Sequence, residues 1–95
     1  MRIVAIAHRS DKHEPEDFAP HLDAESAYVM KLYAEEKIRE VYSRSDGNGA
    51  VLVVEAENEE EAEEILGGLP LAKLGMLSFD LYGIKPYRSF VTNAS

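Results

Sequence analysis

Ninety-five residues with 45% hydrophobic content suffice for one folded core and leave no room for a second. A net charge of −8, with no cluster of Lys or Arg, disfavours nucleic acid and anionic membrane surfaces as partners. The chain has no cysteine, which excludes disulfides, zinc-thiolate sites and thiol nucleophiles and fits a reducing, cytoplasmic location. No apolar stretch approaches the roughly 20 residues that span a bilayer, and the N-terminal run turns polar too soon for a signal peptide.

Arg2 to His8 is an apolar run, the pattern of a central strand covered on both sides. Arg9 to Glu16 is polar and contains Pro15, so a loop is expected. From Asp17 to about Glu36, Phe18, Leu22, Val29, Leu32 and Tyr33 recur at helical spacing, with Pro20 tolerated in the first turn. Glu25 falls on that same apolar stripe. Lys37 to Ser45 alternates, with Ile38, Glu40 and Tyr42 on one face and Arg39, Val41 and Ser43 on the other. Asp46-Gly47-Asn48-Gly49 is a strong hairpin signal, and valine-rich Ala50 to Ala56 is the return strand. Asn58 caps the next helix, with Glu61 in the capping-box position and Ala62, Ile65 and Leu66 as the buried edge. Gly67 is expected to end it in the left-handed conformation, with Pro70 barring continuation. Leu77 to Ile84 is the last strand. Residues 87–95 form a tail apolar enough to dock on a partner subunit.

This order predicts an α+β, ferredoxin-like β-α-β-β-α-β domain over residues 1–95, with a four-stranded antiparallel sheet and both helices on one side. In the last strand, Leu77, Phe79, Leu81 and Gly83 form the face given to the helices. Met76, Ser78, Asp80, Tyr82 and Ile84 form the other, which is too apolar for water alone. A second copy of the sheet is the expected cover. The resulting homodimer, or multiple of dimers, would enclose an apolar cavity with a few polar groups, suited to a small-molecule ligand.

Glu25 is the leading candidate for proton transfer, because a carboxyl set among apolar neighbours has a raised pKa. Its structural alternative is an ion pair at the edge of the stripe. Asp80 stands mid-strand between Ser78 and Tyr82 on the presumed cavity face, where it either acts on a ligand or pairs across the interface with Arg39 or Arg88. His8 ends the first strand and makes an acid/base pair with Asp80 if those strands are neighbours. Tyr42 orients a ligand or packs at the interface, and Arg39 and Arg44 offer charge to an anionic substrate. His8, His13 and His21 match no metal-ligand spacing, so no metal is expected.

The segment Ala50 to Leu71, Ala-Val-Leu-Val-Val-Glu-Ala-Glu-Asn-Glu-Glu-Glu-Ala-Glu-Glu-Ile-Leu-Gly-Gly-Leu-Pro-Leu, resembles the corresponding stretch of muconolactone isomerases. Those enzymes join a valine-rich strand to an acidic short helix, then Ser-Gly-Leu-Pro-Leu and a strand carrying an acid. The likeness covers roughly residues 37 to 84 well and the first helix loosely; its broader pattern is shared by the dimeric α+β barrel superfamily. The resemblance implies a protomer that dimerises through its sheet and a proton-shuttling isomerisation of an unsaturated lactone without metal or cofactor. The family's helix glutamate falls on Glu25. Where the family has a tyrosine and an asparagine at the start of the third strand, this chain has Asn48 and Ala50. The expected function is therefore a cofactor-free, muconolactone isomerase-like enzyme acting on a small lactone or cyclic acid. The alternatives are a non-enzymatic small-molecule-binding or assembly module on the same dimer, and a cofactor-free monooxygenase-like protein.

Overall fold

The computed structural model describes residues 1–93, with side chains as far as Phe90. Four strands, β1 (Arg2–Arg9), β2 (Ile38–Ser43), β3 (Gly49–Glu55) and β4 (Leu77–Ile84), pair antiparallel in the order β2-β3-β1-β4. Helices α1 (Pro15–Phe18), α2 (Leu22–Ala34), α3 (Glu59–Leu66) and α4 (Pro70–Lys73) lie between strands, and α5 (Arg88–Asn93) follows β4. This is the expected α+β, ferredoxin-like arrangement. Among the described residues no helix is long and apolar enough to cross a membrane.

The core forms on one side of the sheet. Ile3, Ala5 and Ala7 of β1 and Leu52 and Val54 of β3 are buried against Leu32 of α2, Ala62 and Leu66 of α3, and Leu69. Side chains alternate across a strand, so Val4, Ile6 and His8 point the other way and are only half-buried. Within one chain β1 is therefore covered on one side, not on both.

The first helical region differs from its periodic pattern. It starts at Pro15 rather than Asp17 and is broken by a 3-10 turn, Ala19–His21, before α2. Pro20 has no N–H to give to the preceding turn, so a continuous α-helix cannot pass through it. After α2, Glu36 takes φ 63, a left-handed exit.

In β2 a bulge splits the face expected to hold Ile38, Glu40 and Tyr42 together. Ile38 pairs with Val54 and is fully buried under the helices, whereas Glu40 and Tyr42 pair with Val53 and Val51 on the open face. One extra residue at Arg39 reverses the inward and outward sense of the strand.

The Gly-Gly-Leu-Pro-Leu link also departs from expectation. Gly67 has φ −64 and is right-handed. Gly68 is the constrained position: a Cβ there would fall 2.5 Å from the Tyr28 hydroxyl oxygen. Pro70 opens α4 at its first position instead of ending a helix, and Gly75, at φ 71, makes the left-handed turn before β4. Met76 does not join the open face. It is 4% exposed and packs with Phe18 and Leu71 in a second small cluster. The tail forms α5, where Tyr87 and Phe90 meet edge to face with their rings 6.5 Å apart and remain largely exposed. Residues 94 and 95 of the expected tail lie outside the described residues.

Candidate functional site

A cavity of about 310 Å³ lies between α2 and the sheet. Its floor is low because small residues fall in register: Ser43 faces Ala50 and Ala50 faces Ala7 across β2, β3 and β1. Its walls include Val29 and Met30 of α2, Leu52, Leu69 and Leu77. The polar groups reaching it are Glu25, Ser26 and Ser43. A mostly apolar cavity with a few convergent polar groups is the usual form of a small-molecule site.

Glu25 sits on the first turn of α2 and is half-buried. Its Oε1 accepts the Leu71 backbone N–H at 3.0 Å. That N–H is one of the orphan donors at the start of α4, so the Leu-Pro-Leu link turns a helix end toward the carboxylate. Oε2 has no hydrogen-bond partner among the described residues, and no cation pairs with the group. Burial raises the Glu25 pKa above its ordinary value, and the Leu71 N–H opposes that rise without cancelling it.

A second constellation occupies the open face. His8 Nε2 and Asp80 Oδ2 are 2.8 Å apart, brought together because β1 and β4 are neighbours. On the other side of the ring, Arg44 Nη1 lies 2.9 Å from His8 Nδ1. A guanidinium only donates. Nδ1 is therefore the acceptor, and Nε2 carries the hydrogen it gives to Asp80. Arg44 also donates to the Ala7 carbonyl at 3.3 Å and to Asp46 Oδ2 at 2.6 Å. The Asn48 N–H, followed by Arg44, holds the Asp46 carboxyl below its ordinary pKa. The side chains of His8 and Asp80 are 40% and 59% exposed, so water screens the pair and its net worth is about 0–1 kcal/mol.

The structure does not bring Glu25 together with His8 and Asp80. Ala7 lines the cavity under α2, and His8, the next residue, points to the opposite face. The sheet stands between the two groups. Ser78 and Tyr82 flank Asp80 on the open face and are exposed. Tyr42 donates to Glu40 Oε1 at 2.7 Å, and that bond raises its pKa. Arg39, at the bulge, is exposed on the β2 edge beside Met30, Tyr33 and Tyr42, away from both constellations. Among the described residues no group of His, Asp and Glu could hold a metal ion.

Arg44, expected with Arg39 to offset the charge of an anionic substrate, is tied to Asp46, which an Asx turn folds back onto it. One contributor was not singled out from sequence. The Leu71 N–H carries no side-chain signal, and only Pro70, favoured at the first position of a helix, marks the donor next to it.

No model of a known protein family matches the chain, and no curated protein matches it by sequence. Among solved structures, the fold is similar to that of a 5-chloro-2-hydroxyhydroquinone dehydrochlorinase from Burkholderia phenoliruptrix AC1100, in complex with 2,5-dihydroxybenzoquinone. The TM-score is 0.72 at 19% identity, over 94% of this chain and 98% of that one. At that identity the likeness establishes the shared α+β fold.

Proposed function

We propose that this chain is a cofactor-free enzyme that moves a proton on a small oxygenated ring compound, in the manner of a muconolactone isomerase, with Glu25 as the proton carrier. One observation carries the reading. An unpaired carboxyl with a raised pKa faces a mostly apolar cavity of about 310 Å³. A carboxylate held there is a stronger base than one in water and a usable acid once protonated. Oε1 is anchored by Leu71, leaving Oε2 to act. It takes a proton from a ring carbon next to a carbonyl. The electron pair left behind shifts into conjugation, and the proton returns at a different ring carbon, so nothing is gained or lost overall. Ser26 and Ser43 offer hydroxyls to the substrate's oxygens.

The name of the structural neighbour supports a ring-shaped, oxygenated substrate class. Loss of hydrogen chloride and migration of a double bond both require removal of a proton, so one carboxylate suits either reaction. The open face, with Val4, Ile6, Val51 and Val53 half-buried, is the surface through which two copies pair. His8, Asp80, Ser78, Tyr82 and Tyr42 then belong to the interior between the sheets. The chain works in the cytoplasm, a reading its composition supports.

Glu25 as a mere cap of α4 is the competing account, favoured by the Leu71 bond. Turnover of muconolactone and of 5-chloro-2-hydroxyhydroquinone, followed by ultraviolet absorbance in wild type and Glu25→Gln, separates the two. Wild-type turnover lost in the variant supports the proton carrier. No turnover of either compound by the wild type counts against the proton carrier and favours Glu25 as a structural cap.

A further inference from the structure

A second pocket, of about 430 Å³, opens where β1 leaves the sheet, between the β2–β3 hairpin and the loop before α1. It shares no lining residue with the Glu25 cavity, and it borders the open face at His8. In a chain of net charge −8, it gathers Arg9, Arg44 and His13 around Phe18.

The two arginines differ. Arg44 already bonds Asp46, the Ala7 carbonyl and His8. The Arg9 guanidinium lies 4.5 Å from the centroid of the buried Phe18 ring and makes no ion pair among the described residues. The contact holds the guanidinium over the ring, and no side-chain hydrogen bond occupies its N–H groups among the described residues. His13 meets the same ring edge-on, with centroids 6.0 Å apart. Its Nδ1 is buried and has no hydrogen-bond partner. A buried polar atom without a partner is uncommon in folded proteins and calls for a cause.

We propose that this pocket binds a small planar carboxylate monoanion, clamped by the Arg9 fork, with the ring of His13 lining the same pocket. The planar guanidinium matches a carboxylate through two parallel bonds. The fork rather than net charge selects the ligand: Asp46 balances Arg44 and Asp11 also faces the pocket, which leaves Arg9 as the one arginine of the lining without an ion pair among the described residues. A phosphate dianion would meet too little positive charge.

The test is titration of the full chain with sodium benzoate, read by calorimetry and by amide chemical shifts, with inorganic phosphate as the second probe. Saturable benzoate binding with shifts centred on Ser10, His13 and Asn48 is expected. Arg9→Gln and His13→Leu each weaken it about tenfold or more, and Arg9→Lys, which keeps the charge but not the fork, weakens it as well. If Arg9→Gln does not fold, as circular dichroism will tell, the Lys and Leu variants decide. No saturable binding by wild type overturns the proposal. So do shifts centred on Val29 and Leu52, or binding that the variants leave unchanged. Phosphate binding with benzoate silent overturns the carboxylate assignment.

Discussion

Glu25 Oε1 accepts the Leu71 N–H at 3.0 Å across 46 residues of chain, tying the first turn of α2 to the start of α4. The bond separates two roles that one side chain can hold. A glutamine keeps an amide oxygen for Leu71 but carries no carboxylate. Glu25→Gln should fold normally and lose turnover by about 10²-fold or more, the usual worth of a positioned acid or base. Glu25→Ala should also lose stability, by about 1–3 kcal/mol, because Leu71 is left without an acceptor. Urea unfolding alongside kinetics checks both; equal stability of the two variants would remove the bond from the account.

The same carboxyl fixes the sign of a pH effect. Its folded pKa lies above its ordinary value of 4.5 because burial disfavours the charge. Protonation is therefore favoured by folding. The stability this adds is full below pH 4.5 and is lost as pH rises through the raised value. At pH 7 the wild type bears the cost of a half-buried charge that Glu25→Gln does not. The variant should melt higher at pH 7 and level with wild type below pH 4.5, each kcal/mol showing as about 4–8 °C in a domain of this size. A variant that melts lower at pH 7 would contradict the burial argument.

Gly49 and Gly47 allow a matched pair of substitutions in the hairpin. Gly49 has φ 149, and a Cβ there would stand 1.9 Å from the Ala7 carbonyl oxygen on the neighbouring strand. Backbone cannot yield that far without parting β1 from β3. Gly47 has φ 77 with nothing within 4 Å. Gly47→Ala should cost about 1–2 kcal/mol, the left-handed penalty alone. Gly49→Ala should cost more than about 3 kcal/mol or prevent folding. Denaturant midpoints rank the two, and a reversed order would refute the close approach.

The fold was legible because its signals are local: apolar runs for strands, helical spacing for α2, and Asp-Gly and Asn-Gly at the hairpin. What escaped the sequence depended on pairing. The bulge at Arg39 shows only when β2 is laid against Val53 and Val54, and it moves Ile38 to the core while leaving Tyr42 outside. Gly67 fitted the helix-end pattern, but the group a side chain at Gly68 would meet first is Tyr28, forty residues away. The candidate site divided in the same way. Glu25 was marked by its stripe and His8 with Asp80 by strand adjacency. Their separation by the sheet follows from alternation between Ala7 and His8, which places the Glu25 cavity on one face and the His8–Asp80 pair on the other.

The open face offers the last test. Val4, Val53 and Glu40 stand side by side across β1, β3 and β2, with Tyr82 opposite Val4 on β4. Tyr82 and Tyr42 are 54% and 57% exposed, and Ile84 43%. A contiguous apolar surface of this kind marks an interaction site in a soluble protein, and two copies pairing through it should form a stable dimer in solution. Val53→Asp places a carboxylate next to Glu40 and inside the proposed interface. Because Val53 is not part of the core beneath the helices, the variant should keep its circular dichroism spectrum while sedimenting as a monomer. If the wild type itself sediments as a monomer at micromolar concentration, the pairing is wrong and the open face needs a different cover. If Val53→Asp stays dimeric, the copies meet elsewhere, and α5 with its exposed Tyr87 and Phe90 becomes the surface to test by Phe90→Ser.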